Sequence, residues 1–193
     1  MKIGVLALQG DFAEHKVILA KLGVDAIEVR LPKDLEEISG LIIPGGESTT
    51  IGKLAVAYGL MEPIREFGAK NPIWGTCAGA IFLSKDVHKD QPLLKLMDIV
   101  VERNAFGAQV DSFEADLMID EVINATGSTM PIHAVFIRAP IISAVSGSAR
   151  VLSRLPDGRI VAAIQGKLLA TSFHPELTND YRFHQYFISL CNN

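Results

Sequence analysis

The chain has 193 residues, the length of a single domain with room for a proper core. Hydrophobic residues make up 49% and charged residues 21%, which is the composition of a globular protein. A formal net charge of −4 and an isoelectric point near 5.7 argue against a nucleic-acid or anionic-membrane partner, and no apolar run approaches a membrane span.

Ile3–Leu8 is a near-continuous apolar run, the mark of a strand covered on both faces. With one Lys before it and Gln9-Gly10-Asp11 after it, it is too short for a signal peptide and has no cleavage pattern. Phe12–Leu22 reads as a helix with Asp11 as N-cap and Gly23 as its stop. Ala26–Val29 is a second strand, Leu35–Ile38 a helical turn and Leu41–Ile43 a third strand running into Pro44-Gly45-Gly46-Glu47-Ser48-Thr49. Leu54–Lys70 reads as helix broken near Gly59, and Pro72-Ile73-Trp74 as the end of a buried strand. This alternation implies right-handed βαβ units and a parallel sheet. From Ile99 onward the pattern changes to closely spaced strands at Val100-Val101, Phe113–Ala115, Val135–Ile137, Val151-Leu152, Ile160–Ile164 and Leu168–Thr171. Pro156-Asp157-Gly158 and Gln165-Gly166-Lys167 are turn signals, the second joining two strands as a hairpin. Asn179–Leu190 closes the chain as an amphipathic helix. The expected fold is α/β and three-layered: a mostly parallel central sheet, flanking helices and an antiparallel portion in the C-terminal half, all in one domain over residues 1–193.

Three chemically loaded segments fall where strand carboxyl ends should lie, which is where open α/β sheets bind ligands. Gly75-Thr76-Cys77-Ala78-Gly79, between a strand and a helix, is a cysteine form of the nucleophile elbow. Its glycines remove Cβ atoms that would clash in so sharp a turn, and the following helix dipole with a nearby imidazolium favours thiolate. The pentapeptide alone reads equally well as a turn around a small buried cysteine. In Phe173-His174-Pro175-Glu176 the His and the acid are two residues apart, so they share a face in extended chain. Glu176 can then hold Nδ1–H of His174 while Nε2 faces a thiol. A lone H-x-E is otherwise a surface histidine beside a solvated charge. Gly45-Gly46 is either a plain tight turn or a loop whose backbone N–H, with that of Ala78, receives an oxyanion. The two cysteines, Cys77 and Cys191, form no disulfide framework and suit a reducing cytosol.

Taken together, these segments resemble the class I (triad) glutamine amidotransferase family. Leu8-Gln9-Gly10-Asp11 and Ser112-Phe113-Glu114 belong to the match, and Pro44-Gly45-Gly46-Glu47-Ser48-Thr49-Thr50, Glu102-Arg103-Asn104-Ala105-Phe106-Gly107 and Phe136-Ile137-Arg138-Ala139-Pro140 narrow the likeness to the glutaminase subunits of pyridoxal 5′-phosphate synthases. One departure is Ala108, where the pattern has a basic residue. The resemblance implies Cys77 as nucleophile, His174 as general acid/base and Glu176 as its orienting partner. It implies oxyanion donors at Gly46 and Ala78, glutamine surrounded by Gly46, Glu47, Ser48, Arg103, Ile137 and Arg138, and Gln9 at a rim that senses a partner. An arginine suits a ligand with a free carboxylate. It further implies a cytoplasmic hydrolase of L-glutamine with no cofactor and no metal, which delivers ammonia through a channel to a separate barrel-type synthase subunit in a hetero-oligomer. Pyridoxal phosphate is then a product. The alternatives are a glutaminase of another pathway, a redox-sensing, deglycating or protease-like elbow-cysteine protein, and a flavodoxin-like binding module.

Overall fold

The computed structural model describes residues 1–103 and 112–192. The first half alternates as the sequence predicts. β1 (Lys2–Leu6), α1 (Phe12–Lys21), β2 (Asp25–Val29) and β3 (Gly40–Ile43) are followed by α2 (Ser48–Ala57), α3 (Met61–Gly68), β4 (Ile73–Thr76) and α4 (Ala78–Leu83). The second half contains β5 (Ser84–Asp86), β6 (Met97–Glu102), β7 (Ser112–Leu117), α5 (Asp120–Thr126), β8 (Ile132–Ile137), β9 (Ile141–Val145), β10 (Arg150–Arg154), β11 (Ile160–Gln165), β12 (Leu168–Thr171) and α6 (Arg182–Cys191).

The main sheet runs β2-β1-β3-β4-β12-β11-β9-β6-β5, with β10 added against β11, while β7 and β8 form a separate antiparallel pair. Its first five strands are all parallel. The last of them, β12, is brought in by a hairpin from β11, whose turn uses Gly166 at φ +57°. Side chains on the parallel strands alternate between two apolar layers. Leu41, Ile43, Ile73 and Ala170 pack with α2, α3 and α4. Ile3, Ile42, Trp74 and Leu169 pack with α1 and α6 and with the β7–β8 pair. This is the expected three-layer α/β arrangement.

Several boundaries differ from the sequence reading, each for a local polar reason. The second long helix begins at Ser48, because the Glu47 carboxylate accepts N–H from Thr49 and Thr50 (3.2 and 2.7 Å) and caps the first turn. It ends near Gly59 at φ +67°, where the break was expected, and α3 follows. The turn expected at Leu35–Ile38 is a 3₁₀ turn at Pro32–Leu35. Pro32 presets its φ, and Asp34 accepts N–H from Arg30 and Leu31, both at 2.9 Å. The last helix starts at Arg182 rather than Asn179, since Thr178 and Asp180 side chains take the backbone N–H groups of Asp180 and Arg182. β5, β9 and α5 are additions that the sequence pattern did not reveal. The Asn104–Gly107 part of the R-N-x-F-G motif and Ala108 lie outside the described residues. Among the described residues no helix is long and apolar enough to cross a membrane.

Candidate active site

The parallel strands β3, β4 and β12 end on the same edge of the sheet, and the three loaded loops leave from those ends. They border a cleft of about 500 Å³. Its lining contains Gln9, Gly46, Glu47, Ser48, Cys77, Ala78, Arg103, Ile137, Arg138 and His174. Glu176 does not reach the cleft and sits behind His174, buried.

Cys77 links β4 to α4 with φ +47° and ψ −104°, a conformation that costs a non-glycine residue free energy and persists only when its surroundings enforce it. Here they do. The Cys77 N–H is tied to Thr171 O at 2.7 Å. A Cβ on Gly75 would lie 2.4 Å from the Gly79 carbonyl carbon, and one on Gly79 would lie 2.0 Å from Ile43 O. The two glycines therefore let the elbow fold onto itself and onto β3. Gly79→Ala must push backbone apart, and we expect it to lose roughly 1–3 kcal/mol of stability. Thermal denaturation checks this, and an unchanged Tm would contradict the close approach.

His174 is fixed from three sides. Its N–H is bonded to Val135 O of β8 at 2.8 Å, its Nδ1 lies 2.6 Å from Glu176 Oε1, and its side chain shares the cleft with Cys77, which acts on it electrostatically. Burial opposes its charge, but the Cys77 and Glu176 contacts outweigh that and push its pKa up to about 10. Burial also works against the Glu176 carboxylate, whose charge is supported by His174. The stabilisation from this pairing is fully present below the ordinary histidine value of 6.5 and is lost as pH rises towards 10. A Cβ on Gly45 would stand 2.5 Å from His174 Cε1, so that glycine is required by the ring.

The β3–α2 loop is held from the segment after β1. Gly45 O accepts the Asp11 N–H at 3.0 Å, and Gln9 Oε1 accepts the Glu47 N–H at 2.7 Å. Asp11, expected as an N-cap, makes no side-chain cap bond to α1. Its carboxylate instead turns to His174, 3.6 Å from Nδ1. Desolvation raises its pKa while the His174 charge counteracts it. Asp11, His174 and Glu176 offer atoms within 4.8 Å of one another, a grouping already accounted for by two carboxylates around one imidazolium.

The two arginines differ. Arg103 is engaged by Glu47 Oε1 at 3.0 Å, Thr49 Oγ1 at 3.1 Å and Gln91 Oε1 at 3.0 Å. Burial acts against the Glu47 charge, yet the Thr50 and Thr49 donors bring its pKa down to about 2. Arg138 follows β8 with φ +42° and lines the cleft. Gln91 was invisible in the sequence, because it comes from a loop with no motif and meets Arg103, Ser48 and Thr49 only in the fold. Asp11 was at hand in the L-Q-G-D motif, but its spacing to His174 exists only in the fold.

Residues 5–193 match the SNO glutamine amidotransferase family. The chain is 56% identical over 195 residues to a pyridoxal 5′-phosphate synthase subunit PdxT of Herpetosiphon aurantiacus, covering 98% of this chain and 100% of that one. It is 50% identical to the subunit of the same name from Roseiflexus sp., again over 98% and 100%. A crystal structure of a glutamine amidotransferase, 49% identical, superposes with a TM-score of 0.91 over 99% of both chains. The chain belongs to the SNO glutamine amidotransferase family.

Proposed function

We propose that this chain is the glutaminase subunit of a pyridoxal 5′-phosphate synthase: it hydrolyses L-glutamine to L-glutamate and ammonia for vitamin B6 synthesis by a separate synthase subunit. The observation that carries this reading is identity of 50–56% over the full length of subunits bearing that name. Family membership disfavours the redox, deglycating, protease-like and flavodoxin-like alternatives. We read residues 1–193 as one glutaminase domain that works in the cytoplasm, beside a partner of barrel type.

The geometry supports a definite course of reaction. The Cys77 thiolate attacks the side-chain amide carbon of glutamine, and the backbone N–H groups of Gly46 and Ala78 receive the oxyanion. The C–N bond breaks as the His174 imidazolium gives its Nε2 proton to the departing ammonia. His174 then takes a proton from water, which attacks the γ-glutamyl thioester, breaks the C–S bond and releases glutamate. Glu176 keeps Nδ1–H in place and stabilises the ring charge throughout. Arg138 and Arg103, with Glu47, Ser48 and Ile137, surround the amino-acid end of the substrate, the guanidinium groups facing its carboxylate. Gln9 is the rim residue that transmits docking. No metal, cofactor, nucleic acid or membrane takes part in this scheme.

Glu176→Gln tests the third member. An amide still touches the ring but cannot stabilise an imidazolium. Loss of the acid costs about 10⁴ in a serine triad, and a cysteine, nucleophilic already, leans on it less. We expect roughly a 10- to 100-fold loss of turnover, smaller than that of His174→Ala. A wild-type rate across the whole pH profile would remove Glu176 from the triad. The pathway is tested by capturing partners from native lysate and assaying glutaminase with and without them. A synthase subunit that forms pyridoxal phosphate is expected, and an acceptor subunit of another amidotransferase would replace the assignment.

A further inference from the structure

Behind Glu176, on the side away from the cleft, lie two histidines that the hydrolysis leaves unused. His15 on α1 and His184 on α6 are both fully buried. His15 Nδ1 is 2.9 Å from His184 Nε2. His15 Nε2 is 3.4 Å from Glu176 Oε2 and 3.4 Å from Thr76 Oγ1. Two helices distant in sequence thus converge on the carboxylate oxygen that His174 does not use. That oxygen is buried and meets no full hydrogen bond, which is costly for a charged group. Catalytic contacts of this kind are often long before substrate binds and tighten afterwards.

The protonation pattern follows from the surroundings. Burial pushes His184 down to about 3. Burial, then the charges of His184 and His174, push His15 well below its ordinary value. Each ring therefore carries a single N–H, and the edge of Trp74 packs against both. If that proton were on His15 Nδ1, the Nε2 lone pair would face the Glu176 carboxylate and His184 would bury an N–H at Nδ1, where it has no partner. Buried orphan N–H groups are rarer than bare acceptors. The opposite arrangement satisfies more: His184 Nε2–H donates to His15 Nδ1, and His15 Nε2–H points at Glu176.

We propose that His15, braced by His184, is a positioning residue that donates Nε2–H to Glu176 Oε2, so that the Cys77–His174–Glu176 line continues inward through two neutral imidazoles. This rests on the triad reading above. The donor keeps Glu176 ionised and aimed, and through it keeps His174 charged. Removing the donor weakens the imidazolium, so the alkaline limb of the pH profile moves down. Glutamine binding, which involves other residues, is left alone.

The test uses the complex with the synthase subunit and compares His15→Leu, His15→Gln and His15→Asn. The Gln amide nitrogen can reach the place of Nε2, whereas Asn reaches only that of Nδ1. We expect His15→Leu and His15→Asn to lose turnover on the order of 10- to 100-fold, with KM within about twofold and the alkaline limb shifted to lower pH. His15→Gln should recover most of the rate and the limb. If Leu fails to fold, Gln against Asn decides alone. Equal limbs in Gln and Asn, or a wild-type limb in a folded Leu variant, overturns the proposal. Nitrogen-15 histidine NMR gives an independent reading: a neutral His15 protonated at Nε2 supports it, and an Nδ1–H tautomer overturns it. Cys77→Ala in the same assay separates the two levels, because activity in that variant defeats the triad itself.

Discussion

Cys77→Ala is expected to lower glutaminase turnover by at least about 10⁴-fold, because removing the nucleophile of a covalent mechanism leaves only binding and the oxyanion site. The same residue should carry the only covalent adduct formed by a glutamine-mimicking electrophile. The competing thiol, Cys191, is half-buried at the end of α6. Burial pushes its pKa up to about 12, so it stays a poorly reactive thiol at working pH. Cys77 stands in the cleft, held in the elbow with His174 beside it. Mass spectrometry of the labelled chain decides the matter, and an adduct on Cys191 would count against the mechanism as strongly as an active Cys77→Ala.

The second large effect concerns the partner. The isolated chain is expected to be a poor glutaminase, with docking of the synthase subunit raising turnover by roughly 10²–10³, the usual cost of one lost oxyanion donor. The Gly45–Gly46 peptide has no Cβ to block either orientation of its N–H, and Gly46 sits at φ +156°. The loop is tethered to the rim: Gln9 Oε1 holds the Glu47 N–H at 2.7 Å, and a Cβ on Gly46 would lie 2.5 Å from that same oxygen. A partner that displaces Gln9 therefore acts directly on the donor loop. Such gating would spare glutamine when no acceptor waits in the synthase. Glutamate release at saturating glutamine, alone and with stoichiometric synthase subunit, measures it. Equal rates would make this a constitutive glutaminase, and Gln9→Ala should uncouple the two states.

How much of this could be read without coordinates follows from the range over which each signal acts. Strand–helix alternation, the glycines around Cys77 and the two-residue step from His174 to Glu176 are local, and the loops they define do meet at one end of the sheet. The start of α2 was misplaced because Glu47 caps it through its side chain, and Ser48-Thr49-Thr50 carry no apolar period. β9 was missed because Ile141–Val145 follows Pro140 and is only partly buried. It becomes a strand only through pairing with β6 and β11. Asp11 beside His174, Gln91 beside Arg103, and His15 with His184 behind Glu176 join residues between 12 and 169 positions apart. No spacing rule reaches that far. The polar network that holds the reactive groups is thus the least legible part of the site.

The central claim, that ammonia freed at Cys77 supplies pyridoxal phosphate synthesis, is tested by feeding the complex glutamine labelled with nitrogen-15 in its side-chain amide, together with the carbon substrates of the synthase subunit. The account predicts that the label appears in the ring nitrogen of pyridoxal phosphate, that one glutamate accompanies each ring, and that Cys77→Ala makes labelled product from ammonium-15 but none from the glutamine. Label incorporation from glutamine by the Cys77→Ala complex, or unlabelled product from the wild-type complex with glutamine as its only added nitrogen source, would contradict it.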